Sequence, residues 1–156
     1  MRSAFAFAFA PVTEDDFDAL LALRIATMRE SLERIGRFDP ARARERFRQT
    51  FRPMHTRRIV VGGAAAGCVA TWPEGDAVRL EHFYLGTAFQ GHGLGSAVLT
   101  RLVTEPAHAG REFIVGALRG SDANRFYVRH GFGLASESEW DLHYQRPANG
   151  FLNKVS

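Results

Sequence analysis

At 156 residues, with 46% hydrophobic and 24% charged side chains, the chain can bury its own core and is composed like a globular protein, not a disordered or repetitive one. Its one cysteine, Cys68, excludes an intramolecular disulfide framework and suits a reducing cytoplasm. A net charge of +3 favours an anionic partner and is too mild to single out nucleic acid.

The chain opens on MRSAFAFAFAP, where Phe5, Phe7 and Phe9 alternate with alanine. That period belongs to a first β-strand and not to the helical apolar run of an export signal. Thr13 and the acidic residues behind it predict a helix start, Phe17, Leu20, Leu21, Met28, Leu32 and Ile35 fall at helical spacing, and Gly36 predicts its end. Asp39 and Pro40 predict the cap and first turn of a second helix, anchored by Phe47 and Phe51 and carrying Arg42, Arg44, Arg46 and Arg48. RRIVVGG and AAGCVATW predict two strands joined by a tight glycine turn, and AVRLEHFYL a third strand run. LGSAVLTRLVTE places Leu94, Val98, Leu99, Leu102 and Val103 on one helical stripe. REFIVGAL predicts a doubly covered strand, DANRFYVRHGF a short helix ending at Gly131, and WDLHYQR a last strand, with one more short strand near 132–136. No repeat, linker or run of ~20 apolar residues interrupts this order, so a single domain over residues 1–156 with no membrane span is expected.

The stretch QGHGLGSAVL, residues 90–99, puts three glycines where a helix must begin. A strand, a glycine turn and a helix start present backbone N–H groups at the positive end of a helix dipole, which is an anion site. A tight turn with no ligand is the plainer alternative for a bare glycine cluster. The stretch lacks the Gly-Lys-Ser/Thr of a P-loop and the spacing of the dinucleotide fingerprint.

It has instead the form Gln-x-x-Gly-x-Gly, here Gln90-Gly91-His92-Gly93-Leu94-Gly95. With GSDANRFYVRHGF, in which Tyr127 precedes Gly131-Phe132, and with the order of elements, the chain resembles the GNAT superfamily of N-acetyltransferases. The resemblance implies an α+β fold, a mixed and mostly antiparallel sheet of six to seven strands flanked by about four helices. It also implies acetyl-CoA as cosubstrate and direct attack of a primary amine on the thioester. Gln90, Gly91, His92, Gly93, Leu94, Gly95 and Ser96 would hold the pyrophosphate, with a solvent-facing side chain the equal alternative for His92, and the backbone of Tyr84 and Leu85 would polarise the carbonyl beside a bulge near Gly86. Many members have asparagine where this chain has Gly120, so Ser121 or Asn124 would make that polar contact.

Catalysis needs a base for the amine, donors for the oxyanion and an acid for the thiolate. Glu81 is the expected base, on a strand face shared with Phe83 and Leu85 where partial burial would raise its pKa; a surface Glu paired with an arginine is the alternative. His82, on the other face, is expected to be structural. By resemblance Tyr127 is the acid, with a core aromatic as the alternative. His55, His82, His92, His108, His130 and His143 form no pair at metal-ligand spacing on one element, so no metal is expected. Relatives often pair, which makes a homodimer an expectation. The acceptor, a small amine, an amino acid or a peptide amine, is left open. Two rival readings are a coenzyme-A sensor without turnover and, on the basic segment 42–58, a polyanion-binding protein.

Overall fold

The computed structural model describes residues 6–148. Its strands are β1 (Ala8–Pro11), β2 (Thr56–Val61), β3 (Ala64–Glu74), β4 (Ala77–Leu85), β5 (Phe113–Leu118), β6 (Gly133–Glu137) and β7 (Asp141–Arg146). Its α-helices are α1 (Phe17–Arg34), α2 (Pro40–Thr50), α3 (Leu94–Thr104) and α4 (Ala123–Arg129). The strands hydrogen-bond in the order β1-β2-β3-β4-β5-β7-β6, the mixed seven-stranded sheet with four helices that the sequence implies. The expected start of β1 at Phe5 lies outside the described residues. The chain divides into two compact units, one running to Ala70 with His82–Ala97, the other comprising Thr71–Glu81 and the chain from Val98 onward.

Local chemistry sets the boundaries in the first unit. Thr13 and Asp16 form a reciprocal capping box on a turn of 3₁₀ helix that leads into α1. At the other end Gly36 takes φ +70, and the Arg37 amide returns to the Leu32 carbonyl at 2.8 Å, a left-handed cap that satisfies an orphan carbonyl. The Asp39 carboxylate accepts from the amides of Ala41 and Arg42 with Pro40 in the first turn of α2, as the sequence predicts. Gly62 and Gly63, both at positive φ, make the two-residue turn between β2 and β3. Phe17, Phe47 and Phe51 pack with ring centroids 5.2–5.5 Å apart and join Leu20, Leu21 and Cys68 in one core. The Cys68 thiol donates to the His82 carbonyl, and burial pushes its pKa up to about 12.

Several arginines of the basic segment turn onto acids instead of forming one open patch. Arg44 pairs with Asp18, Arg48 with Glu14 and Arg58 with Asp16, while the Arg48 guanidinium also lies over the Phe17 ring.

In the second unit β5 pairs with β7 along its whole length, from Phe113↔Arg146 to Leu118↔Asp141. On its other side β5 meets β4 in parallel through Val78↔Phe113 and Arg79↔Ile114, where that ladder ends among the described residues. Val98, Leu99 and Leu102 of α3 are buried, and so are Val78, Leu80, Phe113 and Val115 of the strands.

Candidate active site

The glycine stretch sits in the first unit, at the end of β4. The Gly86 amide bonds to the Ala66 carbonyl at 2.8 Å, a 3₁₀ turn spans Thr87–Phe89, and the Gln90 side-chain amide donates to the Leu85 carbonyl at 2.9 Å. Gly91 and Gly93 then take φ of +79 and +89, conformations that cost an L side chain energy. The Gly93 carbonyl accepts from the Ala97 amide, so α3 starts directly after it and the Leu94 and Gly95 amides have no acceptor within the helix. A Cβ built on Gly91 or Gly93 would meet nothing within 4 Å. Room, exposed backbone and dipole all suit an anion such as a pyrophosphate. His92 is exposed beside this start, and Ser96 is partly so.

Burial along β4 alternates strictly from Val78 to His82 and then stops. The cause is His82, the one non-glycine at positive φ among the described residues, at φ +50. Such a residue costs roughly 1–3 kcal/mol and persists only where its surroundings hold it. It lies between Glu81 and Phe83, inside the stretch for which one shared face is expected. This positive φ falls four residues before Gly86, near which a bulge is expected. Glu81 itself is partly exposed.

What holds His82 is a set of partners the sequence reading missed. Its Nε2 lies 2.8 Å from Thr50 Oγ1, its Nδ1 lies 3.3 Å from the Tyr84 hydroxyl, and its ring meets Phe47 edge-on at 4.8 Å. Tyr84 in turn accepts a hydrogen bond from Arg24 Nε at 3.4 Å. Close by, a Cβ on Gly67 would come 2.1 Å from the Tyr84 carbonyl oxygen, which is why β3 carries glycine there. No pattern signals this cluster, because Arg24, Thr50 and Tyr84 come from three separate elements. The structural role expected for His82 fits its burial.

Burial pushes the His82 imidazole down to about 4, the Arg24 charge adds to the effect, and a hydrogen bond that His82 donates to the Thr50 backbone carbonyl opposes it. The unfolded chain therefore binds more protons than the folded one between about pH 4 and the ordinary 6.5, and stability rises with pH across that window. Each unit of displacement is worth about 1.4 kcal/mol. Replacing His82 with Asn, which tolerates positive φ, should remove this component. In urea melts, the stability difference between the two proteins should change through pH 4–6.5 and stay level above it; a difference level throughout would refute the assignment.

In the second unit Tyr127 is buried, its ring packed against Phe126, Phe132 and Tyr144. The spacing from Tyr127 to Gly131-Phe132 has a local cause. Gly131 at φ +91 ends α4, and the Phe132 amide returns to the Tyr127 carbonyl at 3.1 Å as the two rings meet at 5.2 Å. Asn124 donates to the carbonyls of Leu118 and Ser121 and accepts from the Tyr144 hydroxyl at 2.8 Å, so its amide ties α4 to the strands. Arg119 is held by Glu137 and the Ser138 carbonyl, and Arg125 by Asp122. No group of His, Cys, Asp or Glu suited to a metal occurs among the described residues, and no helix there is long and apolar enough to cross a membrane.

A strand that ends in a glycine-opened helix, with a capped Tyr-x-x-x-Gly-Phe helix further on, is the arrangement that the resemblance to coenzyme-A-dependent acyltransferases implies. A family model described as "Acetyltransferase (GNAT) domain" matches residues 55–133, just over half of the chain. The chain belongs to the GNAT acetyltransferase family and is an acetyl-CoA-dependent N-acetyltransferase. No curated protein matches it in sequence. Among solved structures it is similar to the PaiA N-acetyltransferase of Thermoplasma acidophilum in complex with coenzyme A, with a TM-score of 0.72 at 11% identity over 92% of this chain and 99% of that one. An acetyltransferase from Thermus thermophilus gives 0.70 at 18% identity over 94% and 99%. The ribosomal-protein-S18-alanine N-acetyltransferase of Escherichia coli gives 0.67 at 15% identity over 92% and 94%.

Proposed function

We propose that residues 1–156 act as one catalytic domain that moves an acetyl group from acetyl-CoA to a primary amine by direct attack. The single observation that carries this reading is the helix opened by Gly91 and Gly93 at the end of β4, in a chain of this family. Gln90 fixes the loop through the Leu85 carbonyl, and the backbone from Gly91 to Ser96, with His92 beside it, holds the pyrophosphate. The amides of Tyr84 and Leu85 donate to the carbonyl oxygen as it gains charge. Acetyl-CoA supplies an acyl group already activated as a thioester.

Glu81 takes the proton that the ammonium must lose before its nitrogen has a lone pair, directly or through a water. Tyr127 gives its phenolic proton to the departing sulfur. Its packing among three aromatic rings supports this role by fixing where the ring points. Ser121 and Asn124 frame the start of the helix that carries it. A cytoplasmic location and a homodimer belong to the same reading.

A melt with and without acetyl-CoA tests the reading first. A hundredfold excess over the dissociation constant should add about 2.7 kcal/mol, and no shift at millimolar ligand would overturn it. Tyr127→Phe should lower turnover by about ten- to a hundredfold and leave acetyl-CoA affinity intact. The loss is modest because a thiol of ordinary pKa near ~8.5 leaves tolerably as the anion. Unchanged turnover would return Tyr127 to the core.

A further inference from the structure

Arg24 is half-buried, and unlike Arg44, Arg48 and Arg58 it has no acidic partner among the described residues. It is nevertheless held in place. Its Nε donates to the Tyr84 hydroxyl, and that hydroxyl lies against His82 Nδ1. His82 Nε2 meets the Thr50 hydroxyl, which donates to the Arg46 carbonyl at 3.2 Å. The direction of this chain is fixed at both ends, because a guanidinium can only donate and a carbonyl can only accept. Every hydrogen bond is satisfied when Tyr84 donates to Nδ1 and a neutral His82 carries its proton on Nε2 toward Thr50. The cluster then holds one positive charge. The two terminal nitrogens of Arg24 have no protein acceptor among the described residues.

We propose that Arg24, positioned by Tyr84, His82 and Thr50, binds a carboxylate on the acceptor, so that the acceptor is an amine of the amino-acid class. The inference rests on the acetyl-transfer reading above. A planar fork with its Nε already engaged offers two parallel N–H donors, the match for a carboxylate. One charge neutralises one charge, whereas a phosphate near pH 7 would bring close to two. The cluster and the pyrophosphate loop hang from the same end of β4, since Leu85 beside Tyr84 receives the Gln90 amide. Partial burial strengthens the contact over one made in open water.

The test is thiol release by the full chain with matched pairs of acceptors, each an amino acid and its carboxamide, at saturating acetyl-CoA. Wild type should favour the acid over the amide by about 10–100-fold in kcat/KM, as expected for a charge-assisted pair. Arg24→Gln should abolish that preference, raise KM for the acid and leave KM for acetyl-CoA unchanged; Arg24→Lys should restore part of it. Tyr84→Phe, which removes the hydroxyl alone, should weaken the preference and serves if Arg24→Gln fails to fold. Equal use of acid and amide by wild type, or a preference that survives Arg24→Gln, would overturn the assignment. Thiol release with no amine at all would overturn the acetyl-transfer reading and this inference with it.

Discussion

Gly93→Glu should cost at least about 100-fold in acetyl-CoA affinity, and the melting shift the ligand gives in wild type should vanish at the same concentration. Two effects add. Residue 93 sits at φ +89, where an L side chain is strained, and its carbonyl is the first acceptor of α3. The new carboxylate would also stand at the positive end of that helix, in the space where a Cβ meets nothing within 4 Å, so it would both fill the anion site and repel its occupant. Gly93→Ala separates the two, since it keeps the strain without the charge and should lose only part of the affinity. Equal affinity in Gly93→Glu and wild type would remove the loop from the cosubstrate site.

Glu81→Gln should lower kcat/KM for the acceptor by about 10²–10⁴-fold near neutral pH, the usual contribution of a positioned base. The substitution keeps shape and hydrogen bonding and removes only the ability to take a proton. Turnover would then wait for amine that is already neutral, with a pKa of about 8 for an α-amino group and about 10.4 for a lysine side chain. The acid limb of the rate profile should therefore move to higher pH, and the defect should narrow as pH approaches the amine's own value. An identical profile in both proteins would take the role away from Glu81.

Most of the fold was legible because its boundaries are made by neighbours in sequence. Thr13 with Asp16, Asp39 with Pro40, Gly62 with Gly63 and Gly131 with Phe132 each act within a few residues, and the structure uses each as a cap or turn. The glycine-opened start of α3 was legible for the same reason. The stretch around His82 was not. Strand alternation predicts a regular strand through Glu81, Phe83 and Leu85, and gives no sign that His82 within it stands at φ +50. What imposes that conformation comes from Thr50 and Phe47 on α2 and, through Tyr84, from Arg24 on α1, 60 residues away from Tyr84. Asn124 shows the same limit, since sequence marks it as polar at a helix start and only the fold shows its amide already engaged with Leu118, Ser121 and Tyr144.

The seclusion of Cys68 decides how every one of these variants can be assayed. Thiol reagents attack the thiolate, and a sulfur with no exposed surface and a pKa near 12 offers almost none at pH 8. The native enzyme is then silent toward such a reagent, and colour developed during a reaction counts coenzyme A released, turnover by turnover. The same silence is a built-in alarm. A variant that opens the first unit exposes this one sulfur, and a stoichiometric burst before any acceptor is added would mark a protein that has come apart, not one that has lost its chemistry.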